Sequence, residues 1–338
     1  MRTIEWREGT VVTIDQTRLP NETVYLKMRN PTEVADAIKK MKIRGAPLIG
    51  VAAAFALALT AFHSKTVGKE ELLKEIEESA ELLKKTRPTA VNLFWAVNRV
   101  LRKARSVQGG AHAVAEVVVE EAKKMADEDV EINRKIGAHG AKLIHDRDVV
   151  LTHCNAGSLA TVDYGTALGV IRAAREQDKK IRVIATETRP KLQGARLTAY
   201  ELKGDGIPVT LITDSMVAYV MSKRMINLVV VGADRVVRDA VINKIGTYMI
   251  AVLAHEHGIP FYAAAPKSTF DLKQSSKNVV IEERDPAEVT YFGGQRIAPK
   301  GINVLNPAFD ITPLKYVTGV ICETGILLPS GIQKLTAK

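Results

Sequence analysis

Two side chains capable of acid–base chemistry each follow an apolar run of the sequence. Cys154 follows the run VVLT and lies between His153 and Asn155, before a glycine turn. Asp234 comes directly after the run LVVVGA. Backbone N–H groups of a turn can lower the pKa of a thiol, and burial beside a strand raises the pKa of a carboxyl. The pair indicates acid–base catalysis; the alternatives are a buried structural cysteine and an aspartate that caps a turn or pairs with Arg235.

Two polar segments precede apolar helical runs and could bind an anion. Arg44, Gly45 and Ala46 stand before a proline and an alanine-rich run, so a guanidinium and free backbone N–H groups could form a phosphate site. Asn243 and Lys244 stand before a second apolar run. A glycine turn with proline at the helix start, or a simple helix cap, explains the same residues equally well. No GxGxxG motif follows a strand and no P-loop motif occurs, so nucleotide sites of those types are not indicated.

The cysteines and histidines predict neither a metal site nor a disulfide. Cys154 and Cys322 lie far apart without a CxxC pair, and we interpret Cys322 as structural. His255 and His257 are two residues apart, so on a helix their rings point in different directions. We therefore expect no metal, and a reducing compartment because no disulfide is indicated. The N-terminus is charged and has no apolar signal-peptide core, which predicts a cytoplasmic protein.

The second half of the chain alternates short apolar runs with helical segments, which is typical of α/β proteins. The runs that predict strands are 149–152, 181–185, 209–212, 228–231, 261–264 and 317–321. Consecutive apolar positions indicate parallel strands buried on both faces, and therefore a Rossmann-like, doubly wound sheet. Ligands of such sheets bind beyond the carboxyl ends of the strands. This sequence places polar, reactive or glycine residues there, so we expect the site at that edge.

The first half of the chain is predicted to be mostly helical after two short strands. The predicted helices cover 31–42, 69–85, 91–105 and 111–143. The fold class is therefore α/β, with a mainly helical N-terminal domain over 1–145 followed by a Rossmann-like doubly wound parallel sheet domain over 146–338.

Residues 45–62 carry no charge, over a length close to the ~20 residues that span a bilayer. Insertion into a membrane is one interpretation of this run. However, its seven alanines, with glycine, proline and threonine, contribute little transfer free energy, and no second such run follows. We therefore expect a buried helix and no membrane contact.

Composition excludes several classes of protein. The 338 residues are 46% hydrophobic and 25% charged, which excludes intrinsic disorder. The 48 basic and 38 acidic residues give a net charge of +10, but the excess is spread along the chain and aromatic residues amount to 5%. Nucleic-acid surfaces concentrate basic residues and add aromatic stacking. We therefore expect no nucleic acid, and the diffuse positive charge fits a small anionic substrate or no charged ligand at all.

Several longer segments, taken in order, resemble the methylthioribose-1-phosphate isomerase family over nearly the whole chain. These segments are RGAPLIG (44–50), TRPTAVNLFWA (86–96), LTHCNAGSLATVDYGTALGVIR (151–172), ETRPKLQGARLTAYEL (187–202), GADRV (232–236) and NKIGTY (243–248). The family is similar in fold to regulatory subunits of the exchange factor of eukaryotic translation initiation and to ribose-1,5-bisphosphate isomerases. Those fold relatives imply a homodimer.

The resemblance implies conversion of S-methyl-5-thioribose 1-phosphate to S-methyl-5-thioribulose 1-phosphate in methionine salvage, without a metal or organic cofactor. It makes Asp234 the proton donor and Cys154 the base, or a group that stabilises charge during a hydride shift. The implied substrate contacts are Arg44, Gly45, Ala46, Arg87, Gln193, Asn243 and Lys244. One departure from the family is the linker RVVRDAVI (235–242), which lacks an Asn-Gly pair and is one residue shorter.

Two other functions stay open at this point. One is an isomerase of another sugar phosphate, such as ribose 1,5-bisphosphate or 5-deoxyribose 1-phosphate. The other is a non-catalytic regulatory subunit of translation initiation, against which the presence of both Cys154 and Asp234 argues.

Overall fold

The computed structural model describes residues 2–335, so residues 1 and 336–338 at the ends of the two predicted domains lie outside the described part. The helices are α1 (Pro31–Lys39), α2 (Ala46–His63), α3 (Lys69–Lys84), α4 (Val91–Ser106), α5 (Ala111–Ala141), α6 (Ala167–Glu176), α7 (Ala199–Gly204), α8 (Val217–Ser222), α9 (Thr247–Glu256), α10 (Ala287–Thr290) and α11 (Pro329–Leu335). The strands are β1 (Ile4–Arg7), β2 (Thr10–Ile14), β3 (Tyr25–Met28), β4 (Val149–Thr152), β5 (Arg182–Thr186), β6 (Val209–Ile212), β7 (Leu228–Gly232), β8 (Arg235–Val236), β9 (Ala240–Lys244), β10 (Phe261–Ala264), β11 (Tyr291–Phe292), β12 (Gln295–Arg296), β13 (Phe309–Pro313), β14 (Gly319–Cys322) and β15 (Gly325–Leu327).

The N-terminal half is a helical layer built around α2, with the antiparallel sheet β1-β2-β3 beside it. Helices α1, α3, α4 and α5 all pack against α2. Its alanines and Gly50 permit this close packing, because a Cβ at Gly50 would lie 2.9 Å from the carbonyl oxygen of Asn92. Of the 18 residues of α2, 83% are buried inside the protein. The prediction of a buried helix is confirmed.

The C-terminal half is a seven-stranded sheet in the order β15-β14-β10-β7-β4-β5-β6. All neighbouring strands run parallel except β15, which pairs antiparallel with β14. Strands β5 and β6 lie on one side of β4. Strands β7, β10 and β14 lie on its other side, which is the doubly wound arrangement. Both the predicted fold class and the predicted strands are confirmed, with ends shifted by up to two residues.

A small antiparallel sheet of β8, β9 and β13 lies beyond the carboxyl end of β7, and the sequence did not predict it. The segment RVVRDAVI forms its tight hairpin, closed by a hydrogen bond of 2.9 Å from the Val237 N–H to the Ala240 carbonyl. Asn243 and Lys244 therefore end strand β9, so their interpretation as the start of a helix is wrong. Helix α9 begins only at Thr247, after the left-handed Gly246.

The long helix α5 connects the two halves. It packs against α2 in the helical layer and against α6 beside the large sheet. The proposed domain boundary near residue 145 falls in the connection between α5 and β4, and it stays a prediction.

Candidate active site

One cavity lies at the carboxyl edge of the large sheet, where the helical layer meets it. It leaves about 100 Å³ free, which is room for several water molecules or a small ligand. Its lining includes all nine residues singled out above: Arg44, Gly45, Ala46, Arg87, Cys154, Gln193, Asp234, Asn243 and Lys244. The structure therefore brings the predicted site residues together, while their individual roles stay predictions.

Cys154 and Asp234 follow neighbouring strands of the sheet. Strand β4 precedes Cys154 and β7 precedes Asp234, and the two strands pair in parallel through Val150 with Leu228 and Leu151 with Val229. Because parallel neighbours end at the same edge, residues 80 positions apart in the sequence share one cavity wall.

Threonine side chains hold the backbone of Cys154 in an unusual conformation. Cys154 has φ of +61°, in the left-handed region that non-glycine residues seldom adopt. Its N–H donates to the Thr188 hydroxyl at 2.8 Å, and its carbonyl accepts from the Thr198 hydroxyl at 2.6 Å. Strained backbone of this kind is concentrated at functional sites because the surroundings must enforce it.

The protonation state of Cys154 differs from the sequence-based expectation. Burial raises the pKa of the thiol, and the nearby charges of Lys244 and Arg44, with the Asn155 N–H, oppose that rise without cancelling it. The expected lowering of the pKa is therefore wrong, because desolvation of a thiolate outweighs the turn N–H groups. At neutral pH Cys154 is mainly a thiol.

This pKa predicts slow alkylation of Cys154 by iodoacetamide at pH 7, with a rate that rises about tenfold per pH unit since the thiolate is the nucleophile. Arg44→Met should slow the reaction further, because it removes a cation that favours the thiolate. Peptide mass mapping checks both results, with the fully buried Cys322 as internal control. A rate independent of pH between 7 and 9 would contradict the raised pKa.

Asp234 presents a carboxyl group that suits an acid. Burial raises its pKa, against the opposing charges of Lys244, Arg87 and Arg44. The alternative pairing with Arg235 is wrong, because that guanidinium binds the Thr89 carbonyl and lies 3.6 Å from Asp271. The Asp234 backbone is fixed by its N–H, which donates to the Ile242 carbonyl at 2.9 Å.

Five cationic side chains line the cavity, and three of them, Arg44, Arg87 and Lys244, are predicted site residues. Lys244 is buried and donates to the Ala308 carbonyl at 2.7 Å, and burial lowers its pKa. Arg44 is buried at the start of α2. Arg87, just before α4, lies 3.3 Å from Glu282. Together they supply the positive charge that a phosphate requires.

Two buried polar atoms of the predicted site lack a partner among residues 2–335. They are Nε of Arg87 and Oε1 of Gln193. Buried polar groups are normally hydrogen-bonded, so each unpaired one requires an explanation. A polar ligand in the cavity would supply both partners. Asn243 instead already donates to the Thr247 hydroxyl at 3.0 Å.

Glycine at position 45 is required by its conformation and by its neighbour. Gly45 has φ of +98°, and a Cβ there would lie 2.5 Å from Cα of Ala160. We expect Gly45→Ala to lower the free energy of unfolding by about 1–3 kcal/mol from backbone strain alone. Denaturant titration measures this loss. Gly204→Ala is the matched control, because nothing lies within 4 Å of its Cβ position; equal losses in both variants would refute the explanation.

Sequence reasoning missed part of the cavity wall. Residues 279–284 contribute Val279, Val280, Ile281 and Arg284 to the lining, and Met41, between α1 and α2, also lines the cavity. The Met41 sulfur lies 3.1 Å from Arg284 Nη1. This segment lies in an irregular region between strands β10 and β14 of the large sheet, and no motif in it signals a ligand.

His153 also lines the cavity, although sequence reasoning assigned it no role of its own. Nδ1 of its ring lies 2.6 Å from the Thr186 hydroxyl, and Nε2 lies 2.8 Å from the Ile245 carbonyl. Burial lowers its pKa, so the ring is neutral. Among residues 2–335 no group of three or more His, Cys, Asp or Glu side chains is arranged to hold a metal ion.

Comparisons with known proteins identify the family of this chain. The model of the initiation factor 2 subunit family matches residues 42–329. A methylthioribose-1-phosphate isomerase of Thermosipho africanus is 54% identical over 97% of this chain and 95% of its own length. The crystal structure of 5-methylthioribose 1-phosphate isomerase from Pyrococcus horikoshii OT3 is 48% identical, with a TM-score of 0.92 over 99% of this chain and 95% of that one.

A third similar structure carries a different name. The crystal structure titled translation initiation factor eIF-2B, subunit delta, from A. fulgidus is 52% identical, with a TM-score of 0.89 and complete coverage of both chains. The chain therefore belongs to the initiation factor 2 subunit family and is similar over its whole length to members of it named methylthioribose-1-phosphate isomerase.

Proposed function

We propose that this protein is an aldose–ketose isomerase that converts S-methyl-5-thio-α-D-ribose 1-phosphate to S-methyl-5-thio-D-ribulose 1-phosphate in methionine salvage. One observation carries the proposal: a thiol and a carboxyl group that follow neighbouring strands share a cavity with the cationic side chains of Arg44, Arg87 and Lys244. The names of the relatives support the same reaction.

Phosphate binding falls to Arg44, Arg87 and Lys244. A guanidinium can bind phosphate oxygens in pairs, whereas an ammonium acts as a point charge. The bound phosphate would provide the negative partner for Lys244 and for the unpaired Nε of Arg87. Gln193, whose Oε1 has no partner among residues 2–335, would accept from a sugar hydroxyl. Gly45 and Ala46 allow the ligand to approach the backbone at the start of α2.

Ring opening requires an acid, since the esterified anomeric oxygen cannot release an aldehyde. Protonated Asp234 would donate to the ring oxygen as the bond from that oxygen to C1 breaks. The raised pKa of Asp234 favours this role, because it increases the protonated fraction.

Isomerisation then exchanges the oxidation levels of C1 and C2 by one of two routes. In the first, the Cys154 thiolate removes the C2 proton, an enol forms between C1 and C2, and a proton is delivered to C1 as the C2 hydroxyl becomes a ketone. In the second, hydride moves from C2 to C1 while the C2 hydroxyl loses its proton, and Cys154 stabilises charge. We favour the first because Cys154 lies in the same cavity beside Lys244 and Arg44, which oppose the rise of its pKa.

The decisive test is an assay of the purified protein on three substrates: the methylthio sugar phosphate, ribose 1,5-bisphosphate and 5-deoxyribose 1-phosphate. We expect the highest kcat/KM for the methylthio compound, because Met41, Val279 and Ile281 give the cavity an apolar wall. A preference for the bisphosphate would show instead that the protein is a ribose-1,5-bisphosphate isomerase. Turnover of none would favour a non-catalytic subunit of translation initiation, and the A. fulgidus structure is named as an initiation-factor subunit.

We also propose a cytoplasmic homodimer. Both cysteines are free thiols, as a reducing compartment requires. Strand β6 is an edge of the large sheet, and exposed apolar side chains lie on it and on the next segment of the chain: Leu211, Met216, Tyr219 and Met225. An unpaired apolar edge is normally covered. Light scattering at the mass of one chain, 36.9 kDa, would reject the dimer.

A further inference from the structure

One short helical segment holds the backbone turn that carries Cys154. The segment comprises residues 194–204, a π-helical turn that continues into α7. Thr198 and Glu201 are three residues apart on it and therefore face the same side. The Thr198 hydroxyl donates to the Cys154 carbonyl at 2.6 Å. Glu201, one turn later, contacts the residues just after Cys154.

The Glu201 carboxylate is buried and accepts hydrogen bonds from four residues. Its side chain is 4% exposed. The donors are Asn155 Nδ2 at 2.8 Å, the Ser158 N–H at 2.8 Å and hydroxyl at 2.7 Å, the Leu159 N–H at 3.2 Å, and Arg172 Nη2 at 2.8 Å. Burial alone would raise the pKa of Glu201, but Arg172 and these hydrogen bonds outweigh it and hold the pKa below its ordinary value. The carboxylate is therefore ionised.

An ionised carboxylate only accepts hydrogen bonds, so it determines the orientation of the Asn155 amide. With Nδ2 directed to Glu201, Oδ1 is directed to Arg44 and accepts from its Nη2. The Asn155 carbonyl accepts from Arg44 Nη1 at 2.8 Å, and Gln16 Oε1 accepts from Arg44 Nε at 2.8 Å. Three of the five guanidinium N–H groups are thereby used for fixation, and the other two bond to none of residues 2–335, which leaves them for a ligand.

We propose that Glu201 is a positioning residue for substrate binding: through the Asn155 amide, it holds the Arg44 guanidinium in the orientation that receives the phosphate. This inference rests on the proposed function, because the phosphate contact of Arg44 belongs to it. Glu201 itself does not line the cavity around Cys154, so it acts through Asn155 and not on the substrate.

The test variant is Glu201→Gln, which keeps the shape of the side chain. Its amide nitrogen must face one of the donors that Glu201 now satisfies, and the Asn155 amide loses its fixed orientation. We expect KM for the sugar 1-phosphate to rise about tenfold or more, with a smaller change in kcat, because misplaced binding groups cost affinity and alignment. The dissociation constant for inorganic phosphate, measured by calorimetry, should rise in parallel.

Asp205→Asn is the matched control. Asp205 also binds Arg172, at 2.6 Å and 2.9 Å, but it has no contact with Asn155. Removing this more exposed partner should leave KM within about twofold of the wild type. If Asp205→Asn raises KM as much as Glu201→Gln does, the effect is loss of the Arg172 ion pair and the inference is wrong.

A double variant separates positioning from general loosening of the fold. In an Arg44→Met background, Glu201→Gln should change phosphate affinity little further, since its route of action is already absent. An equal fold-change in both backgrounds would overturn the inference. If Glu201→Gln does not fold, Asn155→Ala breaks the same connection while leaving Arg172 with Glu201, and it should show the same rise in KM.

The two proposals fail in different ways. A wild-type protein that binds inorganic phosphate through Arg44 but converts no sugar phosphate refutes the proposed function, and the calorimetric comparison still tests Glu201. A wild-type protein that shows neither binding nor turnover refutes both.

Discussion

Asp234→Asn should reduce kcat by about 10²–10⁴-fold, the usual contribution of a positioned general acid. The asparagine amide has the shape of the carboxyl group, but its N–H groups are too weakly acidic to transfer a proton to the ring oxygen. Substrate affinity should change much less, because the phosphate contacts lie on Arg44, Arg87 and Lys244. Steady-state kinetics on the methylthio sugar phosphate separates the two effects.

The same variant should gain stability at neutral pH. Burial raises the pKa of Asp234 above its unfolded value of 3.8, so the wild type loses stability as the pH rises from that value through the folded pKa. Asparagine carries no charge and avoids this loss. We expect thermal unfolding to show a higher Tm for Asp234→Asn at pH 7 and no difference near pH 3. Loss of activity with a lower Tm at pH 7 would point to damage to the fold instead.

Asp129→Asn is the matched control for the predicted loss of kcat in Asp234→Asn. Asp129 is also a buried carboxyl group whose pKa is raised by burial, to about 7, but it lies on α5 and accepts from the Val162 N–H, away from the cavity. An asparagine oxygen can still accept that hydrogen bond. We expect unchanged kcat, and a large loss in both variants would show that buried carboxyl groups in general, and not Asp234 in particular, sustain turnover.

The sheet and its functional edge could be predicted because they depend on local sequence features. Apolar runs such as 228–231 indicate strands buried on both faces, and the residues just after each parallel strand then lie together at one edge of the sheet. Cys154 and Asp234 came together by this reasoning alone, although the sequence does not show that β4 and β7 are neighbours. The resemblance contributed Arg87 and Gln193, which no local pattern singles out.

The features that the sequence could not show depend on tertiary contacts. The pKa of Cys154 was expected to fall because the turn N–H groups are visible in the sequence, whereas the burial that raises it comes from distant elements. Residues 279–284 reach the cavity through the ion pair of Glu282 with Arg87, nearly 200 positions earlier. The small sheet of β8, β9 and β13 was missed for two reasons. The β8–β9 hairpin is short, and β13 begins 65 residues after the end of β9.

The acid and the base predict an unusual set of pH profiles. The active form requires Asp234 protonated and Cys154 ionised. Between the two pKa values, each rise of one pH unit increases the thiolate fraction tenfold and decreases the protonated fraction of Asp234 tenfold, so the active fraction stays small and constant. Wild-type kcat/KM should therefore be level across neutral pH. The residual activity of Asp234→Asn should instead rise about tenfold per pH unit, because it depends on the thiolate alone.

Cys154→Ser should reduce kcat by at least about 10²-fold, because a serine hydroxyl has a much higher pKa than a thiol and cannot serve as the base. Its residual activity should fall with rising pH as Asp234 loses its proton. Solvent deuterium decides between the two routes. In a hydride shift Cys154 removes no proton from carbon, so solvent deuterium would not enter C1 of the product. Deuterium at C1 from the wild-type reaction in D₂O, read by NMR, is the result that we expect.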